Sequence, residues 1–187
     1  MDADFDAAVL GLALPAGVEA ALREAALKRD DAAGAMAALM RARALAPDHP
    51  AVLIAFYRHH FFGHRLALAR DIARRALVVG ASALGLPAVW RQVPPRPLAG
   101  ARDEPRTRFY LFVLKGYAYL SLRLDDLNEA RDALVLLRGL DPHDWVGGAV
   151  LEAARRRALR ADVDDDESTP YWQATGAAAW AALSAPL

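Results

Sequence analysis

Apolar residues recur three and four positions apart along most of the chain, the spacing that places them on one face of a helix. Leu39 and Ala42, Leu53 and Phe56, then Ala69, Ala73 and Ala76, and finally Leu134 and Leu137 follow this rule. Acidic residues, glycines and prolines punctuate the runs. Asp at a helix start accepts hydrogen bonds from unpaired backbone N–H groups and favours the positive end of the dipole. Pro lacks an N–H and ends a helix or opens the next one. The pattern predicts an all-α chain with helices over 17–29, 31–46, 50–62, 65–84, 106–123, 126–139 and 143–160.

Two stretches align with each other. Asp30-Asp31 is followed by Ala35, Leu39, Ala42 and Pro47; Asp125-Asp126 is followed by Ala130, Leu134, Leu137 and Pro142. In each, an acidic turn precedes a helix, a small residue permits close backbone approach, and a proline ends the unit. A helix–turn–helix unit of about 34 residues results. Pro47 and Pro142 lie 95 residues apart, whereas two such repeats would separate them by about 68. The surplus of about 27 residues is an insertion in the middle repeat, at about 84–110. It carries Trp90 and the run Val93-Pro94-Pro95-Arg96-Pro97, and consecutive prolines favour an extended path.

On these residues the chain resembles the tetratricopeptide-repeat family. The best-matching unit spans 111–144, with Ala118 and Ala130 at the family's small positions, Asp125-Asp126 at its turn and Pro142 at its end. A second unit fits 16–49 without the family's usual aromatics. A middle unit opens near Pro50, turns at Gly63-His64, and places Tyr57 where the family has a small residue. The resemblance implies three helix pairs and C-terminal capping helices. Residues 1–160 would form the repeat domain, 161–170 an acidic linker, and 171–187 a helical tail. Tyr171, Trp172 and Trp180 of that tail would pack on the last repeat or enter a groove.

The resemblance also implies a function. The first helix of each pair would line a concave groove that binds a segment of another protein. Carried over, the groove positions are Ile54, Arg58, Phe61 and Phe62 in the middle repeat. In the last repeat they are Phe112, Lys115, Tyr119, Leu122 and Arg123. Such a mixture suits an acidic or aromatic-bearing segment, though the same aromatics would also fill a core beneath the insertion. A narrower resemblance, carried by residues 108–151 with Trp90 before them, is to small repeat proteins encoded beside nitrogen-fixation genes. It implies an accessory or assembly role there. Small chaperones of type III secretion are the alternative within the binding class. Repeat scaffolds often pair through terminal helices, so a homodimer is a further expectation.

Composition narrows the choice. With 23 basic and 23 acidic residues, formal net charge is zero, which argues against nucleic acid as partner. Cysteine is absent, so thiolate chemistry and Cys-based zinc sites are excluded. Apolar runs are interrupted well before the length needed to span a bilayer, and the N-terminus opens with Asp2, Asp4 and Asp6, unlike a secretory signal. A cytoplasmic protein is expected. His59, His60 and His64 cluster, yet a structural zinc site wants four ligands; a metal-dependent enzyme is the alternative from another class. Ser82, Ser121, Ser168 and Ser184 stand in no nucleophile pattern. The expectation is therefore a non-enzymatic adaptor without cofactor or metal.

Overall fold

The computed structural model describes residues 14–164, and all regular structure among them is helical. Seven α-helices follow in order: α1 Ala16–Leu27, α2 Ala32–Leu45, α3 Pro50–Phe62, α4 Leu66–Ala83, α5 Pro105–Arg123, α6 Leu127–Leu140 and α7 Ala149–Asp164. A single 3-10 turn, Trp90–Gln92, interrupts the connection between α4 and α5. The chain divides into two compact units, Met1–Arg155 and Arg156–Leu187; the packing below belongs to the first.

Several helices start where a side chain satisfies one of their first amides, α1 and α4 being exceptions. Asp31 Oδ1 accepts from Gly34 N at 3.0 Å before α2, and Asp126 Oδ1 accepts from Glu129 N at 3.4 Å before α6. Glu104 does the same for Thr107 before α5. Pro50 and Pro105 occupy the first turns of α3 and α5, where a missing N–H costs nothing. His64 and Asp125 turn the chain between paired helices in the left-handed region, at φ 55° and 60°.

Helices α1 and α2, α3 and α4, and α5 and α6 pack as hairpins, and α4 also packs along α5. The second helices bury equivalent positions. Ala35, Leu39 and Ala42 in α2, Ala69, Ala73 and Ala76 in α4, and Ala130, Leu134 and Leu137 in α6 are all buried. One core joins α4, α5 and α6, around Tyr110, Leu114 and Tyr117. A second joins α1, α2 and α3, around Val18, Leu39 and Phe56.

The connection before α5 runs over 84–104, with Pro105 beginning that helix one residue before the start read from the sequence. This connection is docked: Trp90 and Val93 enter the larger core, and Leu98 N donates to Leu140 O at 2.9 Å. Two expectations change, both in the last helix. It begins at Ala149, not at 143. Asp144 and Gly147 adopt left-handed φ, and the Asp144 carboxylate accepts from Gly148 N at 2.5 Å and Ala149 N at 3.2 Å. That loop has its own cap, so the helix waits for it. Finally, α7 continues through Asp164, so residues 161–164 are helical rather than linker. The rest of the predicted linker, and the tail with Tyr171, Trp172 and Trp180, lie outside the described residues.

Candidate functional site

Helices α3 and α5 read PAVLIAFYRHHFF and PRTRFYLFVLKGYAYLSLR. Neither contains an Asp or Glu. They lie side by side: the Phe61 and Tyr119 rings are 5.9 Å apart, and a Cβ added at Gly116 would sit 3.1 Å from the Tyr57 hydroxyl. Tyr57 stands where the resemblance expects a small residue, and the missing side chain at Gly116 on the neighbouring helix makes room for it. Burial pushes the Tyr57 hydroxyl well above its ordinary range.

An aromatic row crosses from one helix to the other. Phe61 stacks on Tyr57 at 5.8 Å with nearly parallel planes, and meets Phe62 edge-on at 5.4 Å. Both geometries are favourable for ring quadrupoles. Phe62 at the end of α3 is 64% exposed. On α5, the Arg123 guanidinium donates to Tyr119 Oη at 2.8 Å and lies over its ring. Near the start of α5, Arg108 lies over the Phe112 ring at 5.7 Å; Phe112 is partly exposed.

The nine residues singled out from the sequence thus separate. Phe61, Phe62, Tyr119 and Arg123 form one connected group, with Arg58 on α3 half-buried. Ile54 and Leu122 are partly buried against the hydrophobic cores. Phe112 pairs with Arg108 instead. Lys115 turns to the loop after α6, where Nζ donates to Val146 O at 2.6 Å; burial lowers its pKa, against the pull of nearby Asp144.

The sequence reading missed a polar network on the other side of α5. Arg91, in the insertion, grips Glu129 of α6 with both terminal guanidinium nitrogens. Glu129 also accepts from the buried Tyr117 hydroxyl, which accepts from Arg74 of α4 at 3.3 Å. The Trp90 ring meets Tyr117 at 5.8 Å, and Arg91 covers its outer face at 4.4 Å. The hydrogen bond from Arg91 is the main reason that the Glu129 carboxyl titrates below its usual range. Trp90 at the head of a proline-rich run was the only local hint.

Two further places bear on chemistry. His59 and His60 stack edge-on at 5.6 Å, with His60 buried beside Phe56. Among the described residues no group of three His, Cys, Asp or Glu is placed to hold a metal ion. A cleft of about 310 Å³ borders the end of α6, lined by Leu134, Leu137, Asp141, Asp144 and Glu152 among others. Its acids are largely engaged: Asp141 Oδ2 accepts from Val146 N while its buried Oδ1 has no partner among the described residues, Asp144 caps α7, and Glu152 pairs with Arg155. No described helix is long and apolar enough to cross a membrane.

What fold and site define together, among the described residues, is a set of packed helical hairpins in which two adjacent helices carry an aromatic row and no carboxylate of their own. The chain belongs to the same family as a protein of Azotobacter chroococcum mcd 1 described as "Uncharacterized 19.8 kDa protein in nifW 5'region". The two are 36% identical over 150 residues, covering 79% of this chain and 84% of that protein. No protein-family model and no solved structure matches the chain.

Proposed function

We propose that this chain is a non-enzymatic adaptor of the tetratricopeptide type, binding a segment of another protein along the face shared by α3 and α5. The observation that carries this reading is the composition of that face. Two neighbouring helices hold no carboxylate and present Phe62, Phe112, Arg108 and Arg123, on a chain whose total charge is zero. Arg and aromatic side chains are the types that dominate binding energy at protein interfaces. Repeated burial of the small and aliphatic positions in α2, α4 and α6 supports the repeat architecture, as does the shared Asp cap before α2 and α6.

The relative's gene lies in the nifW 5′ region, which supports an accessory or assembly role in nitrogen fixation. The test is site-specific photo-crosslinking in the native host. A crosslinker at position 62 should capture a discrete protein, and one at Val135, exposed on α6, should not. Substituting Arg123→Ala should weaken the position-62 product while the helical circular dichroism stays unchanged. Equal capture at 62 and 135, or none at 62, would move the binding function away from this face.

A further inference from the structure

We infer that the segment bound on the α3–α5 face is acidic and carries aromatic side chains. This rests on the adaptor reading and names the partner's chemistry.

The argument begins with where charges are settled within the chain. Acids at other positions mostly meet bases of their own: Asp48 with Arg75, Glu24 with Arg41 and Lys28, Asp126 with Arg70, and Glu129 with Arg91. Arg108 and Arg123, like Arg43 over Phe56 on another face, sit on rings. Arg108 and Arg123 meet rings and a phenol hydroxyl, and no carboxylate among the described residues forms an ion pair with either. A guanidinium has five N–H donors in a rigid fork, and Arg123 spends one of them on Tyr119 Oη. The remaining donors suit a carboxylate held bidentately.

The rings beneath them hold these cations in place. Tyr119 lies under Arg123 and Phe112 under Arg108, so each guanidinium is pre-positioned and loses less freedom when an anion arrives. Beside Tyr119, the Phe61–Phe62 edge leaves Phe62 largely open. An incoming aromatic would stack there and keep its neighbouring acid near Arg123. A basic segment would meet these cations with no carboxylate on either helix to offset the repulsion, and like-charge contact discriminates strongly against wrong partners. Single-stranded nucleic acid also combines anions with rings; the neutral overall charge gives it no long-range attraction and favours a protein segment.

The full chain is titrated by fluorescence anisotropy with labelled synthetic peptides. The acidic probe alternates Asp and Glu with Tyr and Trp; the controls replace every acid with Lys or with Ser; a fourth probe is oligothymidylate. The acidic peptide should bind, with affinity falling as salt rises, and the Lys peptide should not. Arg108→Gln and Arg123→Gln should each weaken the acidic peptide by about tenfold. The double variant Arg108→Glu/Arg123→Glu should instead prefer the Lys peptide, which a merely misfolded chain would not do. Equal binding of the acidic, Lys and Ser peptides would overturn the charge rule yet leave the adaptor reading standing. So would no peptide binding while the crosslinker at position 62 still captures a protein. Tighter binding of oligothymidylate than of the acidic peptide would overturn the inference in favour of nucleic acid.

Discussion

Arg91 and Glu129 lie 38 residues apart and face each other as a two-pronged ion pair, joining the insertion to α6. Behind the pair, Trp90 fills a space against Tyr117, so the insertion is held by packing and charge at one point.

The two holds are unequal. Trp90 is 93% buried, its relative exposure being 7%; replacing a core Trp by Ala costs about 3–5 kcal/mol. The Arg91 side chain is 46% exposed, and an ion pair that open contributes about 1 kcal/mol or less. Urea unfolding should therefore show Trp90→Ala far more destabilised than Arg91→Ala. The reverse order would mean that charge, and not packing, docks the insertion.

Glu129 makes stability depend on pH. Its folded pKa lies below the ordinary 4.5, chiefly through the Arg91 hydrogen bond. A lowered carboxylate stabilises the fold above the unfolded value and loses that contribution as pH falls through the folded one. Glu129→Gln should flatten the stability profile below pH 4.5 and leave a lower plateau at neutral pH. Thermal melts across that range measure both features.

His60 acts at milder acidity. Burial is the main cause of its pKa falling below the ordinary 6.5, helped by Arg65 and His59. The unfolded chain then takes up a proton before the folded chain does, so stability declines as pH drops below 6.5. His60→Leu should reduce that decline. If the slope of melting temperature against pH in this window is unchanged, His60 is not its source.

Gly139 sets two opposing magnitudes against each other. Gly→Ala inside a helix gains about 1 kcal/mol by propensity. Here the new Cβ would stand 2.6 Å from Pro95 Cβ and 3.0 Å from its Cα, and a backbone cannot swing aside like a side chain. Overpacking of this kind costs about 1–3 kcal/mol. Gly139→Ala should lower the unfolding midpoint and change Trp90 fluorescence as the insertion lifts from α6. A raised midpoint with unchanged fluorescence would show that the insertion adjusts freely.

Much of the helical order was legible along the chain. Asp31 and Asp126 announced the starts of α2 and α6, and Ala69, Ala73 and Ala76 announced a buried face on α4. The start of α7 was less legible, because Asp144 both turns the chain and caps the helix that begins five residues later. The candidate face was only half readable. Phe62 and Arg123 were nominated only by the resemblance to the repeat family, and Lys115, nominated with them, reaches the Val146 carbonyl. Arg108 was not nominated, because its register with Phe112 has meaning only once the helix is known to present both.

By itself the sequence determined that the chain is helical, where most helices begin, and which positions carry small residues at their crossings. These depend on hydrogen bonds and periodicities that act within about four residues. The tertiary structure alone decided that the insertion is docked, that Gly116 accommodates Tyr57, and that the rings of α3 and α5 form one row beside Arg123. Those pairings join residues far apart in the chain. Each is selected by the shape left when helices pack, which no local pattern of residues encodes.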